Sequence, residues 1–190
     1  MPAGNWSYRS ISASSANSAW AVGTTTAIAI YHYDGIAWAE DTSFAASAGG
    51  LVADIFALSD SSVWACGEVA GKAVDYERGS IWHFDGEEWL RVFEVVDIPG
   101  DGLRSFYFRK ITALPDSAVW AMATEFDESA GKHNYHLYHY DGTDWTFEAF
   151  PENFTSAIGM DVGGINDLWI VGDPPVPPAH DPCDAMEMGW

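Results

Sequence analysis

The chain has 190 residues, 48% hydrophobic and 15% aromatic, enough apolar material for one sizeable core or two small ones and too much for a disordered tail. Its Lys+Arg total of 8 against 28 Asp+Glu gives a formal charge of −20, a field that repels phosphate backbones and argues against nucleic-acid binding. No apolar run reaches the roughly 18 to 20 residues of a membrane span, and Met1-Pro2-Ala3-Gly4-Asn5-Trp6 has neither the basic nor the apolar region of a signal peptide.

The predicted elements begin with Gly4-Asn5-Trp6-Ser7-Tyr8, patterned like the later segment Gly142-Thr143-Asp144-Trp145-Thr146-Phe147. Residues 4–9 are therefore expected as a lone outer strand. A repeat follows. Residues 10–42 carry ISASSANSAWAVG (11–23) and IYHYDGIAW (30–38); residues 51–95 carry IFALSDSSVWACG (55–67) and IWHFDGEEW (81–89); residues 107–150 carry ITALPDSAVWAMA (111–123) and LYHYDGTDW (137–145). Residues 155–172 hold a fourth copy of the first element only, IGMDVGGINDLWIVG (158–172), and residues 173–190 form a Pro-rich tail. The anchor tryptophans Trp20, Trp64, Trp120 and Trp169 recur about every 50 residues.

Each unit reads as four short antiparallel strands, because the apolar runs are brief, rich in Val, Ile, Trp, Tyr and Phe, and bounded by Gly, Asp and Ser. The Asp-Gly pair between strands three and four suits a tight hairpin. Four such strands per period of this length define an all-β propeller blade, and the chain supplies about four: three complete and one composite. The spare first strand and the unfinished last blade are complementary. A four-bladed monomer, a head-to-tail dimer forming an eight-bladed ring, and a fragment of a longer propeller all satisfy the count.

The units resemble bacterial propeller repeats of the form n-x-x-W-a-V-G followed by i-x-H-y-D-G-x-x-W, and more distantly kelch and two-component-sensor propeller repeats. Trp20-Ala21-Val22-Gly23, Trp64-Ala65-Cys66-Gly67, Trp169-Ile170-Val171-Gly172 and the three His-x-Asp-Gly-x-x-Trp segments carry the resemblance. It implies a propeller with a recognition role, secreted or at the envelope of a bacterium. Sialidase Asp-boxes differ, because here Gly directly follows Asp.

Repeated positions serve the repeat, so His32, His83 and His139, Asp34, Asp85 and Asp141, and Trp38, Trp89 and Trp145 are read as structural. Departures from the repeat point to function. The connections between strands two and three expand at residues 68–80 and 125–134, and the links between blades, 41–51 and 95–106, are long as well. In an antiparallel blade these emerge at one end, and loops on a rigid scaffold carry function disproportionately. Glu68, Lys72, Asp75, Tyr76, Arg78, Phe126, Asp127, Lys132 and His133 are the candidate ligand-binding residues of that face.

No cofactor is required by any motif. Asp97, Asp101, Glu125 and Asp127 are hard oxygen donors suited to Ca²⁺ but lack EF-hand spacing. His180, Cys183, Met186 and Met188 form a soft set suited to copper, though their order is not that of cupredoxins. The two cysteines, Cys66 and Cys183, make no disulfide framework. No catalytic motif is present, and the five arginines read as scattered rather than repeated. The first reading is thus a non-catalytic module binding a glycan or protein through its long-loop face. The alternatives are a self-assembling subunit that shares blades between chains as a homo-oligomer, and a propeller hydrolase or lyase.

Overall fold

The computed structural model describes residues 7–24, 28–44, 50–70, 77–95, 104–115, 118–127, 130–151, 154–164 and 167–174. The first blade is a meander of β1 (Ser7–Ser15), β2 (Ser18–Thr24), β3 (Ile28–Tyr33) and β4 (Trp38–Glu40). The second is β5 (Leu51–Ser59), β6 (Ser62–Ala70), β7 (Glu77–Phe84) and β8 (Trp89–Glu94), and the third is β9 (Arg104–Ala113), β10 (Val119–Asp127), β11 (Lys132–Tyr140) and β12 (Trp145–Glu148). The fourth contains β13 (Ser156–Gly164) and β14 (Asp167–Asp173). Every pairing is antiparallel. The first strands β1, β5, β9 and β13 lie side by side in chain order, which is how propeller blades surround an axis.

Two sequence expectations are corrected. Ser7, Tyr8 and Arg9 are not part of a lone outer strand: they open β1, with Tyr8 opposite Gly23 on β2. The fourth copy of the repeat is also out of register by two residues. Met160, which packs against the third blade with Val162 and Leu168, takes the place of Ile11, Ile55 and Ile111. Ile158 is an unpaired bulge residue instead.

The tight-turn end repeats closely. In each complete blade one aspartate oxygen accepts two backbone N–H groups beyond the glycine: Asp34 from Ile36 and Ala37, both at 2.9 Å, Asp85 from Glu87 and Glu88, and Asp141 from Thr143 and Asp144. Gly35, Gly86 and Gly142 sit at φ of 90°, 102° and 97°, a left-handed conformation that glycine adopts without a Cβ clash. Those N–H groups hold all three carboxyls below the ordinary aspartate pKa.

Above the turn, each anchor tryptophan lies against the histidine of strand three, with ring centroids 4.2 Å apart for Trp20–His32 and for Trp64–His83, and 4.4 Å for Trp120–His139. Nε2 of His32 and His83 meets the hydroxyls of Ser18 and Ser62. The third blade has Ala118 at that position, and His139 Nε2 has no partner among the described residues. Burial pushes the His83 pKa down, so its imidazole is a neutral packing ring at neutral pH.

Adjacent inner strands are joined by side chains rather than by a ladder. On β1, Ser12 Oγ accepts from Ala57 N at 3.0 Å and Ser14 Oγ donates to Asp60. Asp54 is the deepest of these links. Its carboxylate accepts from Ser10 Oγ on the first blade and Ile111 N on the third, and lies 3.8 Å from Lys110 Nζ. Burial raises its pKa despite those partners.

Candidate functional site

Each inner strand carries a β-bulge at the position two residues before the first isoleucine or its equivalent. Register jumps from Tyr8 to Ser10, from Val52 to Asp54 and from Ala157 to Gly159 leave Arg9, Ala53 and Ile158 unpaired. On β9 the partner of Met122 is Lys110 and that of Ala123 is Phe108, which leaves Arg109. A bulge bends its strand and re-aims one side chain. Here all four re-aimed residues, Arg9, Ala53, Arg109 and Ile158, line one depression of about 710 Å³ at the mouth of the axis. Glycine opposite the bulge permits the approach in the second and fourth blades: a Cβ on Gly67 would lie 1.9 Å from the Leu51 carbonyl oxygen, and one on Gly172 equally close to that of Ser156.

The mouth is the cationic place in an acidic chain. Arg9, Arg109 and Lys110 are three of its eight Lys and Arg, and His133 and Tyr135 from β11 complete that side. Arg109 is pre-set: its Nη2 donates to Tyr107 Oη at 2.6 Å, its Nε to Thr124 Oγ1, and its guanidinium lies 4.5 Å from the Tyr107 ring centre. Arg78 and Arg91, by contrast, are both neutralised by Glu94, at 3.3 and 3.4 Å. Arg9 and Arg109 have no carboxylate partner among the described residues. Both also line a smaller recess of about 320 Å³ over the second blade, with Glu68 at its edge. Rigid guanidinium forks that no carboxylate of the described residues engages suit a planar carboxylate, which they bind in bidentate fashion.

Of the candidate residues from the sequence, His133 reaches the mouth and Glu68 the recess. Arg78 is held by Glu94 on the outer strands of the second blade. Phe126 packs against His133 with their rings tilted by 47°, Asp127 accepts from Ala130 N in the β10–β11 turn, and Lys132 begins β11. Lys72, Asp75, Tyr76, Asp97, Asp101, His180, Cys183, Met186 and Met188 fall outside the described residues. Glu125 is engaged by His136 Nε2 at 3.0 Å and by Asn134, and no group of three acidic, His or Cys side chains converges among the described residues. A second depression, of about 600 Å³, is a seam between the second and third blades, lined by repeat residues such as Trp64, His83, Tyr140 and Trp145.

The sequence reading missed Arg9, Arg109 and Lys110. Two of the five arginines do share a repeat position, because Arg9 and Arg109 both stand two residues before the first isoleucine of their repeat, Ile11 and Ile111.

No protein-family model matches the chain, and no curated protein is similar to it in sequence. A solved structure titled "YCF48 bound to D1 peptide" superposes on 91% of the chain with a TM-score of 0.53 and 16% sequence identity. The chain is a β-propeller. It spans about half the length of that neighbour, 49% of it being covered. The neighbour's title describes a peptide complex, and no helix among the described residues of the present propeller is long and apolar enough to cross a membrane.

Proposed function

We propose that this propeller is a non-catalytic recognition module that takes a carboxylate-bearing protein segment at its axial mouth. The observation that carries the reading is the pair of arginines, Arg9 and Arg109, re-aimed by equivalent bulges into one depression without a carboxylate partner among the described residues. A surrounding charge of −20 repels acidic chains elsewhere on the surface, so a local cationic mouth selects both where and how such a segment docks. That the neighbour with this fold is titled as a peptide complex supports a peptide over a small metabolite. The free C-terminus of a protein, or an Asp or Glu side chain on an extended segment, offers the matching group.

The test is an array of short synthetic peptides with free and with amidated C-termini, probed in parallel with a glycan array. Capture of free-acid or acidic peptides, lost in the Arg9→Gln/Arg109→Gln double variant, is expected. Capture of neutral glycans alone, or of peptides equally well by both proteins, would overturn the reading.

A further inference from the structure

The two ends of the blade series are uncovered halves of the interface that the interior blades make with one another. Inside the chain, the anchor tryptophan of one blade is covered by an aromatic pair from the next. Trp20 meets Phe84 and Trp89 at 5.1 and 6.0 Å between ring centres, and Trp64 meets Tyr140 and Trp145 at 5.9 and 6.3 Å. The first isoleucines of the second and third blades are buried in these seams: Ile55 packs with Trp20 and Val22, Ile111 with Trp64 and Cys66.

The same positions at the ends are open. Trp169 is 66% exposed and Val171 59%, whereas Trp20, Trp64 and Trp120 are 2%, 6% and 6% exposed. At the other end Ile11 is 59% exposed against 2% for Ile55 and 3% for Ile111, and the half-buried pair Tyr33–Trp38, 5.5 Å apart, meets no anchor tryptophan among the described residues. Ala21 and Tyr31 of that leading face are already buried, so the open part is the strip of Ile11, Tyr33 and Trp38 toward the tight-turn end. In the interior seams that strip is what receives the anchor tryptophan.

We infer that the leading strip of one copy of this chain docks on the Trp169 face of a second copy, reproducing the seam between its own blades. Twice the four sheets found among the described residues falls at the upper end of the usual range of blades in a propeller ring. The contact is heterologous, one face against a different face, and two such contacts close a ring. Tyr33 and Trp38 of the second copy stand in for the aromatic pair that Trp20 and Trp64 receive from within the chain. This inference does not depend on what binds at the mouth.

The experiment is mass in solution by light scattering across a concentration series, on the full chain and on two variants, Ile11→Glu and Trp169→Glu. Both sites are exposed, and far-ultraviolet circular dichroism checks that each variant keeps the fold. The wild type is expected at about twice the 20.7 kDa of one chain. Each variant alone is expected to lose the closed pair, because each lacks one of the two faces. Mixed together they restore a species of two chains, since Ile11→Glu keeps a sound trailing face and Trp169→Glu a sound leading one. A wild type of one-chain mass at every concentration overturns the inference, as does a variant that pairs as well alone as in the mixture, which would mean like faces meet.

Discussion

The tight-turn end and the axial mouth of this propeller use repetition in opposite ways. At the turn end the side chains themselves recur: Asp34, Asp85 and Asp141 cap the same turn, and His32, His83 and His139 lie on the same tryptophan. At the mouth only the backbone device recurs, a bulge in every inner strand, while the side chain it carries changes from Arg to Ala to Arg to Ile. Uniform residues hold blades together. A uniform backbone with varied residues makes one place in a pseudo-symmetric ring chemically distinct, and that is where a ligand finds something to recognise.

The largest test of that contrast is Trp64→Ala. It empties the seam between the second and third blades and is expected to cost about 3–5 kcal/mol in urea unfolding, the usual range for a buried aromatic. Trp169→Ala, at the same repeat position but exposed, is expected to cost far less in dilute protein. Asp54→Ala comes next. It leaves Ile111 N and Ser10 Oγ without their acceptor and removes the link among three blades, a loss of about 1–3 kcal/mol.

The two kinds of aspartate respond oppositely to acid. Burial raises the Asp54 pKa in the folded chain, so its contribution to stability is fullest below the unfolded value and is lost as pH rises through the folded one. Backbone N–H groups lower that of Asp85, so its contribution is present above the unfolded value and is lost as pH falls through the folded one. Unfolding measured from neutral pH down to about pH 4 should therefore show Asp54→Asn losing ground to the wild type as pH falls. Asp85→Asn should run parallel to the wild type over that window and gain ground only below about pH 4, where the unfolded chain begins to protonate its aspartates. Parallel curves for the Asp54 pair down to about pH 4, or for the Asp85 pair below it, would contradict the assigned environments.

The smallest effect on stability belongs to the mouth. Arg9→Gln and Arg109→Gln touch exposed groups and should shift unfolding by no more than about 0.5 kcal/mol, while weakening capture of acidic peptides at least about tenfold. A large stability loss from Arg9→Gln would show the mouth to be structural, erasing the contrast with the turn end.

Much of the architecture is legible in the sequence, because Trp, His and Asp-Gly recur at fixed offsets and each offset has a physical cause. The bulges are not. An unpaired residue leaves no mark in a hydrophobic pattern, so the fourth copy is aligned on Ile158 instead of Met160, and Arg9 and Arg109 pass for scattered cations. Read two places ahead of Ile11 and Ile111, they align. Asp54 is likewise invisible until three blades are brought together, since its partners lie 44 and 57 residues away.

The role of the two arginines is tested most directly by calorimetric titration of the wild type and the Arg9→Gln/Arg109→Gln variant with one peptide captured on the array, in its acid form and with its carboxyls converted to amides. The wild type should prefer the acid by at least about tenfold, roughly 1.4 kcal/mol, and the variant should show no preference. Equal affinity of the wild type for acid and amide would contradict that role.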